Sequence, residues 1–474
     1  MASSTEQACS RLPNATSTKP YWRTQLHDLD EFRSSDAVPE IVDVAIIGGG
    51  LAGACTAYHL LSGAEKDGAR MEPSSIAIFE ARQACSGATG RNGGHTKVAP
   101  TMISKFATQY GSGAALDFAL FLRELIHKLK ACAESIVVSD AADEKLQHSS
   151  SSRTLAQECE LLVTRSWDVF LDEDHAAAAE KEWNEAVSGM RKLAGQENRE
   201  RDLEWLGDIQ FIKGPIAEQV SCKTSRTFLS AAETRQVTSI RGAKAALSCP
   251  AMTLWPYKFV LGLLQHVVRL GVRLYTLTPV TRIERVSEKE SGMASSTKGL
   301  TALHTPRGIT LARKVVYSTN AYVSALLGQY ENTIIPGRGT ACHIVRQPSA
   351  SSQSSSSTSA PSVADYTRLV NTYNINGGPT SREYLVPQPD GSIVLGGGQP
   401  LYRADKEIWY DMVDDGTLIP GVQERWFEGY MGRHFHGWDK NGKYEKIDRI
   451  WTGSRSTDPC RFSFFRRWLR FDCG

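Results

Sequence analysis

Three glycines spaced two and three residues apart are the feature of this sequence that most clearly indicates chemistry. Gly48, Gly50 and Gly53 follow the short apolar run 42–47 and open an apolar stretch of helical character at 51–61. The first glycine permits a tight turn after a strand, the second lets the backbone approach a pyrophosphate, and the third lets a helix pack closely against the strand. Such a helix presents its N-terminal N–H groups to phosphates. The segment therefore predicts a dinucleotide-binding site.

A second apolar run, 75–79, ends in Glu80. A carboxylate at the end of this strand accepts hydrogen bonds from a ribose hydroxyl and rejects a 2′-phosphate. Glu80 lies 27 residues after Gly53, somewhat more than the usual gap of about 20, and an intervening polar loop accounts for the excess. The only other glycine cluster of this type, 396–398, lacks the third glycine and has Pro400 where a helix would begin. Enzymes that use both FAD and a nicotinamide usually show two fingerprints, so a single one favours FAD.

A second glycine-rich loop, residues 81–95, follows Glu80 directly. Its run Gly87-Ala-Thr-Gly-Arg-Asn-Gly-Gly94 resembles the FAD-dependent oxidoreductases of the D-amino-acid oxidase superfamily, with fungal members and gamma-glutamylputrescine oxidoreductase as the most similar branch. The resemblance continues in family order over roughly residues 21–453. It implies that FAD is the cofactor and that this loop lies along the flavin through its backbone. Four glycines in eight residues allow a backbone to lie flat against a planar cofactor.

These two loops supply most of the residues that we expect to bind FAD. The first loop and its acid contribute Gly48, Gly49, Gly50, Leu51, Ala52, Gly53 and Glu80. The second loop contributes Ala81, Arg82, Gly87, Ala88, Thr89, Gly90, Arg91, Asn92, Gly93 and Gly94. The resemblance adds Val280, through its backbone on the adenine side, and Thr319 with Asn320, which would close over the cofactor after a returning strand.

The resemblance also implies a reaction: oxidation of a C–N bond in an amine or amino acid to an imine, with oxygen reduced to hydrogen peroxide. Hydride transfer to the flavin is the cofactor's own chemistry, so the protein mainly orients the substrate. His95 ends the second loop and would face the flavin or a substrate carboxylate, or else bond the loop backbone. Tyr384 stands where the family places an aromatic wall of the substrate pocket. Arg382 and Arg338 would each bind a carboxylate bidentately or serve a structural role.

Two features depart from the family pattern. Val394 stands where the sarcosine-oxidase-like branch carries a lysine thought to assist oxygen reduction, so a flavin dehydrogenase with another electron acceptor is an alternative. After Trp451-Thr-Gly453 the sequence has five arginines, five aromatic residues and no glycine before Gly474, whereas the family continues with a glycine-containing loop, a strand and a helix. A non-catalytic member with impaired flavin binding is therefore a further alternative.

Helical and extended patterns alternate along much of the chain, including a helix expected at 256–270, and this alternation predicts an α/β fold. We expect a discontinuous Rossmann-type FAD-binding domain that is interleaved with an α+β substrate domain. The expected division is an N-terminal extension at 1–40, the FAD-binding domain at 41–110 and 245–335, the substrate domain at 111–244 and 336–450, and an atypical tail at 451–474.

The composition limits the kinds of binding partner and the cell compartment that we expect. The 474 residues are 41% hydrophobic and 22% charged, with a net charge of +2, which gives no electrostatic reason to expect nucleic acid or an anionic membrane as partner. The polar N-terminus lacks a secretory signal, so we expect a cytoplasmic protein whose partner is a small amine or amino acid. Ten scattered cysteines without a CxxC pair indicate no metal site. Serine-rich stretches at 148–153 and 348–363 are expected to be exposed insertions.

Overall fold

Two large β-sheets carry the fold in a computed structural model of the chain. The structure describes residues 11–62, 71–138, 153–218, 238–286, 299–346, 369–378, 381–439 and 445–457. The serine-rich insertion predicted at 348–363, and all but Arg153 of the shorter one, lie outside these residues.

Seventeen strands occur in the described part of the chain. In chain order they are β1 (Ile41–Ile47), β2 (Ile76–Phe79), β3 (His95–Lys97), β4 (Val137–Val138), β5 (Arg153–Thr154), β6 (Leu162–Phe170), β7 (Gln210–Lys213), β8 (Ala245–Thr253), β9 (Arg273–Tyr275), β10 (Arg282–Arg285), β11 (Thr301–Thr305), β12 (Gly308–Tyr317), β13 (Ile335–Arg346), β14 (Thr372–Gly378), β15 (Ser381–Pro387), β16 (Ile393–Gly397) and β17 (Glu445–Thr457). Apart from the short hairpin of β4 and β5, they form the two sheets.

The α-helices are α1 (Leu51–Ser62), α2 (Pro100–Tyr110), α3 (Ser112–Ser135), α4 (Leu155–Glu158), α5 (Glu173–Gln196), α6 (Pro215–Glu218), α7 (Pro256–Arg269), α8 (Gln399–Tyr402), α9 (Lys406–Trp409) and α10 (Tyr430–His434). Short 3-10 helices occur at Tyr21–Arg23, Pro73–Ser75, Ala88–Gly90, Glu200–Asp208, Asn320–Ala325 and Gly328–Tyr330, and a π-helical turn at Gln423–Phe427. No helix within the described ranges is long and apolar enough to cross a membrane.

The first sheet has six strands in the order β10–β11–β12–β1–β2–β9, and the four strands from β12 to β9 run parallel. The central strand β1 is buried on both sides for most of its length, as its run of Val, Ile and Ala requires in a parallel sheet covered on two faces. Helices α1 and α7 contribute small and aliphatic side chains to the core on one face. The strand–helix–strand unit predicted at 42–79 is confirmed.

The second sheet has nine strands in the order β17–β13–β16–β15–β14–β6–β8–β3, with β7 also pairing with β8. One face packs on an apolar cluster that includes Val169, Ile375, Leu385 and Phe427. On the opposite face lies Tyr384, whose ring approaches that of His95 at the end of the second glycine loop. Helices α2, α3 and α5 cover another part of this second face.

The predicted α/β class, with a Rossmann unit interleaved with a second domain, is confirmed by this architecture. The six-stranded sheet draws its strands from residues 41–79 and 273–317. Strands β3 and β8, which the sequence division assigns to the FAD-binding segments, pair within the nine-stranded sheet. The residue limits of the two domains stay a prediction.

The N-terminal segment and the last described strand both pack against this frame. Trp22 is fully buried, and its indole N–H donates to the carbonyl of Asn92 at 2.6 Å. The Trp255 indole in turn donates to the carbonyl of Trp22 at 2.7 Å. Strand β17 pairs with β13 along its whole length, so residues 454–457, beyond Gly453, extend the nine-stranded sheet.

Candidate active site

The first glycine loop lies where the carboxyl ends of parallel strands meet. The Gly48 N–H donates to the carbonyl of Phe79 at 2.8 Å, and the Ser318 N–H donates to that of Ile47 at 2.8 Å. Gly48 has a φ of +112°, a conformation that favours glycine. A Cβ on Gly53 would collide with the Gly48 carbonyl. Both glycines are therefore required by close backbone contacts, as the turn geometry predicts.

Glu80 connects the two glycine loops. Its Oε2 accepts the N–H of Gly49 at 2.8 Å, and its Oε1 accepts the N–H of Arg82 at 2.9 Å. Each carboxylate oxygen can accept a second hydrogen bond, and the side chain is only half-buried. Glu80 thus fixes the backbone of both loops and keeps acceptor capacity at the edge where a ribose is expected.

The N-terminus of α1 faces the second glycine loop. The Leu51 N–H donates to Thr89 Oγ1 at 2.9 Å, and a Cβ on Gly50 would lie 2.8 Å from the same oxygen. Leu51 is 43% exposed, and Ala52 is exposed as well. Accessible amides at a helix N-terminus bind phosphate, so this edge fits the pyrophosphate of a dinucleotide.

The second glycine loop is folded by its own side chains. The Asn92 Oδ1 accepts the N–H of Gly94 at 2.8 Å, and its Nδ2 donates to the carbonyl of Thr89 at 2.8 Å. Partly or fully exposed positions of the loop are Ala81, Gly87, Ala88, Thr89, Asn92 and Gly93, whereas Arg82, Gly90, Arg91 and Gly94 are buried. At Gly87 a Cβ would meet nothing within 4 Å.

Both arginines of this loop turn their side chains into the protein. The two terminal nitrogens of Arg82 contact the two carboxylate oxygens of Asp415 at 2.9 and 3.0 Å. Arg91 Nε lies 3.4 Å from Asp415 Oδ2, and Arg91 donates to the carbonyls of Ser86 at 2.7 Å and Thr452 at 2.6 Å. Asp415 was not among the candidates from the sequence, because it lies in a polar run typical of a surface turn.

Two guanidiniums share one carboxylate in this cluster. Burial lowers the pKa of Arg91 to about 10, and the charge of Asp415 only partly offsets it. Burial also acts to lower the pKa of Arg82, but the hydrogen bonds and charge of Asp415 outweigh it and the pKa is raised. Because the arginine side chains are engaged here, the loop offers mainly its backbone to a cofactor.

Tyr384 lies between the second glycine loop and the nine-stranded sheet. Gly396 is its direct partner in the β15–β16 pair, and a Cβ there would collide with the ring. A Cβ on Gly93 would lie 2.6 Å from Tyr384 Cε2. The ring thus occupies space that the two glycines leave open. Burial raises the pKa of its hydroxyl far above the usual value, so the phenol stays protonated at neutral pH.

His95 lies close to Tyr384, with 6.2 Å between the ring centroids. The residue is partly buried, and its Nδ1 is shielded from solvent with no hydrogen-bond partner among the described residues. Burial, aided by the charge of Lys97, lowers the pKa of His95 to about 3. The ring is therefore neutral at pH 7, with one buried nitrogen that has no hydrogen-bond partner among the described residues.

Arg382 lies two residues before Tyr384 on β15, so both side chains point to the same face of the sheet. It is exposed, and its Nε donates to Asn376 Oδ1 at 3.1 Å. Arg338, by contrast, is 8% exposed and pairs with Asp414 Oδ2 at 3.0 Å. Arg382 is therefore the more exposed of the two, whereas Arg338 is held by Asp414 and its buried Nε has no partner among the described residues.

The corner after β12 completes the edge. Thr319 Oγ1 is buried and lacks a hydrogen-bond partner in the part of the chain that the structure describes. Buried hydroxyls usually have a partner, so this one fits a group that bonds a ligand. Asn320 is exposed, with a φ of +48°, and its Oδ1 accepts the N–H of Ser456 at 3.2 Å. Val280 is 3% exposed in the core of the six-stranded sheet.

Comparison with known proteins agrees with this geometry. A family model described as FAD dependent oxidoreductase matches residues 43–470. The fold is similar to that of L-amino acid deaminase from Proteus vulgaris, with 14% sequence identity, a TM-score of 0.53, and 90% of this chain and 86% of that chain covered. Glycine oxidase from Geobacillus kaustophilus has 14% sequence identity and a TM-score of 0.52, with 89% of this chain and 85% of that chain covered. L-proline dehydrogenase from P. horikoshii has 15% sequence identity and a TM-score of 0.50, with 89% of this chain and 83% of that chain covered. Curated protein sequences yield no match.

At these identities the solved structures establish the fold, and the family model, which spans most of the chain, establishes the family. The exposed N-terminus of α1, the remaining acceptor capacity of Glu80, and the Thr319 hydroxyl, which has no partner among the described residues, all fit a bound dinucleotide. The chain belongs to the FAD dependent oxidoreductase family, and its cofactor is FAD.

Proposed function

We propose that this protein oxidises the C–N bond of an amino acid, or of another amine that carries a carboxylate, to an imine, with oxygen as electron acceptor. The placement of Arg382 and Tyr384 on one face of β15, with the Tyr384 ring beside His95 and the second glycine loop, carries this proposal. An amino acid deaminase and a glycine oxidase among the structures of similar fold give it further support.

We assign the substrate-binding roles as follows. Bound FAD supplies the electron-pair acceptor for the substrate. Arg382, held by Asn376, binds the substrate carboxylate through its terminal nitrogens. Tyr384, whose ring lies between Gly93 and Gly396, forms the wall of the substrate site on the side of the sheet. His95 is uncharged, and its unpartnered Nδ1 accepts a hydrogen bond from the substrate amine. These groups orient a neutral amine without adding a second positive charge beside it.

We assign FAD binding to the two glycine loops, Glu80, and the corner at Thr319 and Asn320. The N-terminal amides of α1 bind the pyrophosphate, Glu80 binds a ribose hydroxyl, and the backbone of residues 81–94 lies along the ring system. Val280 contributes through its backbone, since its side chain belongs to the core.

The electron acceptor has a specific alternative. Val394 is fully buried in β16, two residues before Gly396, so no cation stands at this position to assist oxygen reduction. This observation favours a dehydrogenase that passes electrons to a quinone or a protein. Hydrogen peroxide formed in proportion to oxidised substrate would support the oxidase, whereas turnover only with an added artificial acceptor would support the dehydrogenase.

The test of the substrate class compares purified flavoprotein variants on a panel of amino acids and their decarboxylated amines. Arg382→Met should raise KM for carboxylated substrates roughly 10–100-fold, because it removes a charge-assisted hydrogen bond worth about 1.5–3 kcal/mol. Arg313→Met is the matched control, since Arg313 is an exposed arginine that pairs with Asp43 on the other sheet. If the wild-type protein prefers the decarboxylated amines, or if both variants behave alike, the proposed carboxylate site is wrong.

A further inference from the structure

Asp415 holds the buried side of the second glycine loop to the rest of the molecule by charge. Its carboxylate is fully buried, and the two arginine side chains that contact it are 6% and 2% exposed. The partners lie far apart in sequence, 333 residues in the case of Arg82. A buried carboxylate at such a junction is costly unless several donors satisfy it, and here two guanidiniums do so.

Four chain segments meet at this cluster. The Asp415 carbonyl accepts the N–H of Thr18 at 2.8 Å. Arg91 donates to the carbonyl of Thr18 at 2.8 Å and to that of Thr452, on strand β17, at 2.6 Å. Arg82 donates to the carbonyl of Asn14 at 3.1 Å. The N-terminal segment, the loop, the turn around Asp415 and the edge strand β17 are thereby joined through buried and partly buried groups.

The two arginines lie near opposite ends of the loop, so their contacts with Asp415 restrain the loop at two points. Arg82 lies at its beginning, where its own N–H donates to Glu80, and Arg91 lies nine positions later, just before the Asn92 turn. Between them lie Gly87, Thr89 and Gly90. Fixing both arginines to one carboxylate therefore fixes the backbone of the intervening segment in one conformation.

We propose that Asp415 is a positioning residue for FAD: it preorganises residues 82–91 through Arg82 and Arg91 so that their backbone fits the cofactor. This inference rests on the assignment of the second glycine loop to FAD made above. A preorganised loop binds more tightly because the ordering cost is already met in the free protein. Loss of the carboxylate leaves two neighbouring guanidiniums that repel each other, and the loop between them moves.

The direction in which Asp415→Asn changes FAD affinity distinguishes a positioning role from a purely electrostatic one. Replacement of Asp415 by asparagine makes the buried cluster more positive, because one negative charge is lost and two positive charges remain. If the cluster acted only through its field, the anionic cofactor would bind more tightly to Asp415→Asn. Positioning predicts the opposite, weaker binding.

The experiment measures the FAD dissociation constant of reconstituted apoprotein by flavin fluorescence, together with amide hydrogen exchange of residues 81–94 with and without FAD. We expect Asp415→Asn to raise the dissociation constant at least tenfold and to speed amide exchange of the loop in the FAD-free protein, where the wild-type loop is already ordered. Asp414→Asn is the matched control, because Asp414 pairs with Arg338 and Thr417 instead of the loop; it should change the constant less than twofold.

Each outcome decides a separate point. Unchanged or tighter FAD binding in Asp415→Asn, with normal loop protection, would overturn the positioning role. Absence of FAD-dependent protection of the loop in the wild-type protein would instead overturn the assignment of the loop to the cofactor. If Asp415→Asn proves insoluble, Arg82→Lys decides, since it keeps the charge but loses the two-point contact: a threefold or larger rise in the constant supports the role, and an unchanged constant refutes it.

Discussion

Glu383 should make the protein less stable as the pH rises, and its replacement by glutamine should remove that loss. Glu383 lies on β15 between Arg382 and Tyr384, but its side chain points to the opposite, apolar face and is 2% exposed. Its carboxylate receives a hydrogen bond only from the hydroxyl of Ser381, at 3.2 and 3.3 Å to the two oxygens, among the described side chains. Burial raises the pKa of Glu383 to about 7, from an ordinary value of 4.5.

The sign and size of the effect follow from these two values. Between pH 4.5 and 7 the folded protein keeps the Glu383 proton while the unfolded chain has lost it, so stability falls as the pH rises. A shift of about 2.5 units corresponds to about 3 kcal/mol, fully expressed above pH 7 and absent below pH 4.5. Glutamine is the neutral isostere of glutamate, so Glu383→Gln should stabilise the protein by up to about 3 kcal/mol at about pH 8 and by little at about pH 4.5.

The assay is thermal unfolding of wild-type and variant flavoprotein across this pH range, with the difference in Tm as the readout, so that groups common to both proteins cancel. Glu424→Gln, in the π-helical turn, is the control, since Glu424 is an exposed glutamate; its difference in Tm should not vary with pH. A stabilisation by Glu383→Gln that is equal at pH 5 and pH 8 would refute the reasoning, because it would show that ionisation of the buried carboxyl is not what costs stability.

Substitutions at Glu80, Gly53 and Tyr384, with their controls, test the cofactor edge and the ring beside it. Glu80→Ala should raise the FAD dissociation constant roughly 10–100-fold, because it removes a charged acceptor and frees the N–H of Gly49; an unchanged constant in fluorescence titration would exclude a ribose contact. Gly53→Ala should prevent flavin incorporation, since its Cβ collides with backbone, while Gly207→Ala, outside both glycine loops and with a Cβ that meets nothing, should purify with normal flavin absorbance. Tyr384→Ala should lower the unfolding free energy by about 3–5 kcal/mol through a cavity, and Tyr384→Phe by much less, as measured by denaturant unfolding.

The Rossmann unit could be predicted from the sequence because its signals are local. A run of aliphatic residues, a glycine turn and a helical pattern specify strand, turn and helix without knowledge of distant partners. The predicted strand at 42–47 and helix at 51–61 became Ile41–Ile47 and Leu51–Ser62, and the helix predicted at 256–270 became Pro256–Arg269. Trp255, just before this helix, is 4% exposed.

Other features could not be predicted, because they depend on contacts between distant segments. Strand β8 has the sequence AALSCPAMT, whose small residues and proline show no alternation, and it becomes a strand only through pairing with β6 and β7. Asp415 lies in the run Asp411–Gly416, which is typical of an exposed turn, yet it is fully buried by two arginines more than 300 positions earlier. Trp22 lies in a segment interpreted as an extension, and a single sequence gives no means of seeing that it packs under the second glycine loop.

The position of Tyr384 explains why two glycine-rich segments so far apart in sequence belong to one site. Because Gly396 has no side chain, the Tyr384 ring can lie against the sheet, and because Gly93 has none, the second glycine loop can contact the ring from the other side. A side chain at either glycine would push the ring toward the opposite element, and the interior has no spare volume to absorb the shift. The loop assigned to the flavin and the strand that carries Arg382 therefore cannot move independently. If the cofactor binds along this loop as proposed, its binding should also restrict the strand, and the guanidinium of Arg382, proposed to bind the carboxylate, would be held at a set distance from the flavin before any substrate arrives.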